Sequence, residues 1–193
     1  MLDANNANGL YAVQPRDDGG PINVWCNNGW LVIQRRREGS ENFFKTWKEY
    51  KDGFGVLEKE FWLGNTNIHR ITSQGNYKLR IIMEDNYNDR LDALYENFTI
   101  ASEKDDFRLH VGYFKGNGDN ELSYHSGFRF STKDEDHDES NGNCAKLHEG
   151  GWWYGNCTRS NLNGHYLGSE NTTGATWGKH ALKTILMRIK PMK

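Results

Sequence analysis

At 193 residues the chain is long enough for one sizeable hydrophobic core, and a formal net charge of −2 supplies no overall basic field for nucleic acid or an anionic membrane. The hydrophobic fraction is only 36%, but seven Trp, nine Tyr and nine Phe furnish large buried areas, and 21 Gly against three Pro indicate many turns rather than disorder. No apolar run is long enough for a membrane-spanning helix, and "MLDANNANGL" has neither the basic start nor the apolar stretch of a signal peptide, so the sequence reads as cytosolic or as a mature domain or fragment.

In chain order, "WLVIQRR" (30–36) reads as a mainly buried strand. "TWKEYKDGFG" (46–55) reads as a short amphipathic helix stopped by Gly53. "NIHRITSQG" (67–75) repeats that design, with Asn67 as N-cap and Gly75 beyond the end. "YKLRIIMED" (77–85) alternates Tyr77, Leu79, Ile81 and Met83, the pattern of a half-buried strand. "LYENFTIA" (94–101) and "FRLHVGYF" (107–114) read as its antiparallel neighbours, and "KTILMRIKP" (183–191) as a closing strand. Between about 115 and 180 the sequence is rich in Gly, Asn and Asp and has little periodicity. So long an irregular stretch in a compact domain is expected to be functional or pinned by a metal or disulfide.

That stretch holds two of the three cysteines. With Cys26, Cys144 and Cys157, at most one intrachain disulfide can form and one thiol is left over. A bridge between Cys144 and Cys157, thirteen residues apart, would contribute about 3 kcal/mol in the chain-entropy description. Sequons at Asn97, Asn156 and Asn171 are too easily met by chance in an Asn-rich protein to argue secretion.

The same stretch holds "DEDHDESNGNC" (134–144). Asp134, Asp136 and Asp138 alternate like the start of an EF-hand loop, but positions six and twelve from Asp134 are Glu139 and Ala145, where that loop needs Gly and Glu. Two readings stand. One is a solvated acidic loop. In the other, Asp136 and Asp138 aim their carboxylates at one point and the backbone of Ser140 and Gly142 adds carbonyl oxygens, a ligand set for a hard cation such as calcium. His137 and the cysteines lack the pattern of a zinc site. None of the seven histidines stands in a nucleophile or metalloprotease motif, and no phosphate-binding loop is present, so no catalytic residue is assigned and an enzyme is not expected.

Taken together, "NGLYAVQP", "GWLVIQRRREGSENFFKTWKEYKDGFG", "EFWLGNTNIHRITSQGNYKLRI", "LSYHSGFRFSTKDEDHDESNGNCA", "GGWWYGNC" and "NLNGHYLG" resemble the successive signatures of the fibrinogen C-terminal globular domain. This is the module of fibrinogen β and γ chains, ficolins, tachylectins, angiopoietins and tenascins. The resemblance runs in order from about Gly9 to Pro191, and it looks closest to the invertebrate lectin-like members. It implies an α+β fold over 1–193 as one domain, with a central antiparallel sheet, short helices and a loop-rich binding region. It also implies one calcium ion held by the side chains of Asp136 and Asp138 and the carbonyls of Ser140 and Gly142. A Cys144–Cys157 disulfide beneath a ligand pocket is implied as well, with a cis peptide at Asn156–Cys157.

By the same resemblance the pocket is expected to involve His148, Tyr154, Asn156, Cys157, Thr158, Tyr166 and Asn171. The sequence also departs from the family. No partner for Cys26 stands upstream, Thr158 replaces the His of acetyl-binding members, and the segment around Asn171 is short. The implied function is that of a secreted, calcium-dependent lectin of innate immunity, binding carbohydrate or acetylated groups on microbial surfaces. The alternative is a protein-binding module of a receptor ligand or matrix component.

Overall fold

In the computed structural model, which describes residues 7–166 and 173–192, the strands marked most clearly in the sequence form the middle of one large antiparallel sheet. The first part of the protein supplies β1 (Gly9–Val13), β2 (Ile22–Asn27), β3 (Trp30–Arg36), α1 (Trp47–Asp52), β4 (Phe54–Gly55), β5 (Phe61–Trp62) and α2 (Asn65–Thr72). Next come β6 (Tyr77–Asp85), β7 (Arg90–Tyr95), β8 (Thr99–Ile100), β9 (Leu109–His110) and β10 (Phe114–Gly116). The last part holds α3 (Cys144–Leu147), β11 (Ser160–Asn161), β12 (Thr176–Trp177) and β13 (His180–Pro191). The main sheet runs β1–β2–β3–β13–β6–β7–β10. This is the α+β architecture with a central antiparallel sheet.

The alternation in β6 places Leu79, Ile81 and Met83 against the core, none more than 1% exposed, while Lys78, Arg80 and Ile82 face outward. Strand β13 is not an edge that closes the sheet. It lies at the centre, with Met187 opposite Ile81 of β6 on one side and Gln34 of β3 on the other. The buried run in β3 follows from this interior place.

Helix α1 starts with a capping box: the Thr46 hydroxyl accepts from the Glu49 amide and the Glu49 carboxylate accepts from the Thr46 amide. It ends at Gly53, whose φ is +94° and where a Cβ would sit 2.7 Å from the Leu63 carbonyl oxygen, so a side chain is excluded twice over. Helix α2 begins earlier than its sequence suggests. Gly64 is the N-cap, and Asn67 lies inside the helix with its side-chain amide donating to Leu63 O at 2.9 Å.

Two expected strands are each divided. Asn97, at φ +53°, turns the backbone out of the extended region, so only Arg90–Tyr95 pairs with β6. Thr99–Ile100 pairs instead with Leu109–His110 in a separate ribbon, and Phe114–Gly116 lies on the outer side of β7.

Aromatic side chains join the sheet and helices to the irregular region. Tyr50 of α1 meets Phe130 at 5.1 Å between ring centroids, Phe130 meets Trp153 at 5.3 Å, and Trp153 meets Trp152 at 4.9 Å. Both tryptophans are fully buried, as is the free thiol of Cys26.

Candidate functional site

The acidic run is held by hydrogen bonds to its own backbone, to Thr132 and to the start of α1. One oxygen of Asp134 is engaged elsewhere, accepting from the Trp47 amide (2.9 Å) and from the Thr132 hydroxyl (2.8 Å), which fastens the loop to the start of α1. Asp138 accepts from the amides of Ser140 and Cys144, both at 2.8 Å. His137 is turned inward, with Nδ1 at 2.9 Å from Phe130 O and Nε2 at 3.7 Å from Asp106.

Burial pushes the Asp138 carboxyl above its ordinary range despite those two amides, and the adjacent Asp136 carboxylate pushes it the same way. Two like charges therefore share one place. The carbonyls of Ser140 and Gly142 accept no hydrogen bond from the described residues. Among those residues no three His, Cys, Asp or Glu side chains converge on one point, so any cation here must draw on main-chain oxygen as well. Carboxylate and carbonyl oxygens with free lone pairs fit a hard cation.

Asp138 leads directly to the second half of the site. Cys144, whose amide it accepts, is disulfide-bonded to Cys157 with Cα atoms 5.6 Å apart. The Glu139 amide adds a bond to Gly155 O at 3.2 Å. The Asn156–Cys157 peptide is cis, as the family resemblance implied. Asn156 is exposed, and the Thr158 hydroxyl donates to Ser160 O.

The wall beside this segment comes from residues the sequence reading left unassigned. The Tyr124 hydroxyl accepts from the Asn156 amide at 3.4 Å, and the Arg159 guanidinium lies 5.1 Å from the Tyr124 ring. The Phe128 ring packs so close to Gly155 that a Cβ there would fall 2.5 Å from it. The only local signal was the i, i+4 spacing of Tyr124 and Phe128 inside "SYHSGF"; nothing near them in sequence links them to Gly155 or Arg159.

Behind this wall, His125 is fully buried. Its Nδ1–H donates to Trp153 O at 2.7 Å, and its Nε2 accepts from the amides of Ser160 (3.1 Å) and Arg159 (3.3 Å). Burial pushes its pKa down to about 4, so the ring is neutral and acts as a backbone clamp.

Other expected pocket residues are placed differently. Tyr154 is fully buried, its hydroxyl donates to Gly150 O at 3.0 Å, and its ring stacks beneath His148 at 5.8 Å. It therefore supports the site from within instead of presenting a ring to a ligand, while His148 is half-buried above it. The Tyr166 hydroxyl donates to Arg37 O at 2.9 Å, so its contacts are with the 37–39 loop. That loop is tied down by Glu60, which accepts from the amides of Arg37, Glu38, Gly39 and Glu41. Burial alone would raise the Glu60 pKa, but the four donors hold it at about 2. Asn171 lies outside the described residues.

A family model described as the fibrinogen beta and gamma chains, C-terminal globular domain, matches residues 1–192. Mouse angiopoietin-related protein 1 is 41% identical over 204 residues, covering 97% of this chain and 41% of that protein. Techylectin-5A of Tachypleus tridentatus is 40% identical over 211 residues, covering all of this chain and 72% of that protein. The fibrinogen-like globe domain of human ANGPTL2 superposes with a TM-score of 0.93 at 39% identity, over 97% of this chain and 94% of that one. The chain thus spans about two fifths of the length of its angiopoietin-related relatives.

Proposed function

The chain belongs to the family of fibrinogen beta and gamma C-terminal globular domains, and from that premise we propose a secreted, calcium-dependent recognition module that binds carbohydrate or acetylated groups. Its relatives carry names from both sides of the family, a techylectin and an angiopoietin-related protein, and the domain itself is a recognition module with no enzymatic role. The disulfide supports an oxidising, extracellular setting.

One observation carries the reading. The Asp138 carboxylate holds the Cys144 amide, and Cys144 is covalently joined to Cys157 in the segment that bears the exposed Asn156. Asp136 and Asp138 with the carbonyls of Ser140 and Gly142 would hold the calcium ion, which would neutralise the paired carboxylates when bound. Order in the acidic loop is thereby passed to residues 155–158. A small polar ligand beside Tyr124 and Phe128 would meet an aromatic surface and the polar groups of Asn156, Thr158 and Arg159, a mixture suited to a sugar or acetamido group.

A glycan array probed with the purified protein, with calcium and with EDTA, tests this. The expected result is calcium-dependent retention on acetylated glycans, reversed by free N-acetylglucosamine. Indifference to every glycan, together with calcium-dependent capture of a protein ligand, would replace this reading with the protein-binding one.

A further inference from the structure

The outer face of the main sheet carries an arrangement that works against stability. Lys190 of β13 stands directly opposite Lys78 of β6, and on the same face the next pair along is Arg188 opposite Arg80. Like charges facing each other across strands are destabilising. Arg80 is relieved by Asp92, whose oxygens lie 2.5 to 3.1 Å from its guanidinium. The other three cations have no carboxylate within ion-pair distance among the described residues.

All three are instead gathered around one aromatic ring, Trp30 of β3. Arg188 lies 5.2 Å, Lys78 5.5 Å and Lys190 6.0 Å from its centroid. Arg188 is 7% exposed, yet among the described residues its guanidinium makes a single hydrogen bond, to Asn27 Oδ1 at 2.6 Å, and its Nε makes none. A buried cation without a counter-ion is costly. Here Arg188, with only the more distant Asp92 carboxylate to offset it, stands beside two more cations that have no ion pair among the described residues, on a protein whose overall charge is slightly negative.

We infer that the sheet face around Trp30 is a second binding site, which takes the sulfate groups of a sulfated polysaccharide on Lys78, Lys190 and Arg188. Anionic groups there would remove the repulsion between the facing pairs and supply Arg188 with a nearer counter-charge. An extended polymer with repeated anionic groups suits an open strand surface better than a small ion suits it, because several modest contacts combine. The disulfide fits the extracellular setting of the proposed function, on which the choice of a sulfated polysaccharide as the polyanion rests. The site uses none of the residues of the acidic loop or of segment 155–158.

Binding of a size-defined heparin oligosaccharide to the intact protein, followed by surface plasmon resonance across a range of NaCl concentrations, is the test. Lys78→Ala/Lys190→Ala is expected to weaken binding about tenfold and to flatten its salt dependence. A charge-matched control on exposed residues elsewhere, Lys104→Ala/Lys179→Ala, is expected to leave both unchanged. Thermal melting of each variant shows whether the fold is kept, and removal of Lys78 and Lys190 is expected not to lower it. No saturable heparin binding, or equal losses in the two double variants, overturns the inference. So does equal or tighter binding of single-stranded DNA at the same residues. Because the probe can bind with calcium absent, failure here is distinguishable from failure of the lectin reading.

Discussion

The sheet and the irregular region reach similar burial by opposite means. In the sheet, β13 pairs with β6 over most of its length and with β3 over Ile185–Ile189, and Leu79, Ile81 and Met83 repeat one interaction along a strand. Between 117 and 166 order rests on single attachments. His125 clamps three backbone groups, Trp153 Nε1 donates to Phe107 O at 2.8 Å, and Tyr50 reaches across from α1 to accept the Gly151 amide at 3.1 Å. Repetition makes a structure tolerant of change, whereas single attachments allow an irregular surface but make each of them costly to lose.

The largest test of that contrast is Trp153→Ala, expected to cost about 3–5 kcal/mol in denaturant unfolding because it removes a fully buried ring and a hydrogen bond together. Replacing the disulfide in Cys144→Ser/Cys157→Ser is expected to cost about 3 kcal/mol, seen as a lower denaturation midpoint with residues 9–95 still protected in hydrogen exchange. Acid should separate the two regions without mutation. His125, depressed to about 4 in the fold, is neutral there while the unfolded state takes up a proton below about pH 6.5. Stability from this group is full above that pH and falls by about 3 kcal/mol as pH drops toward 4, read from unfolding midpoints. Glu60, held at about 2, gives a separate loss beginning only below about pH 4.5, as its unfolded carboxylate protonates. Smaller again, Tyr50→Phe leaves the Gly151 amide without its acceptor and should cost about 1–3 kcal/mol. Ile81→Val in the sheet should cost only about 0.5–1.5 kcal/mol, and a value matching Trp153→Ala would remove the contrast.

The contrast also explains what could be read from the sequence. The period-two pattern of 77–85 and the Thr46-to-Gly53 helix are written locally, and both formed as expected. The central place of β13 is not, because strand order depends on partners more than a hundred residues away. In the site, the disulfide and the cis peptide came through family resemblance. The wall of Tyr124, Phe128 and Arg159 was missed because it is assembled from separate segments meeting at Gly155. Tyr154 was expected to face a ligand, yet its hydroxyl finds Gly150 O inside the core, so an aromatic near a binding loop need not line it.

The central claim is that the acidic loop and the segment after Gly155 act as one unit through Asp138, Cys144 and Cys157. Calcium titration of isotopically labelled protein, followed by amide NMR, measures this directly. The account predicts saturable shifts in 136–144 accompanied, at the same midpoint, by shifts in 155–158, both lost in Asp138→Asn. Absence of any calcium response, or a response confined to the acidic loop, would contradict it.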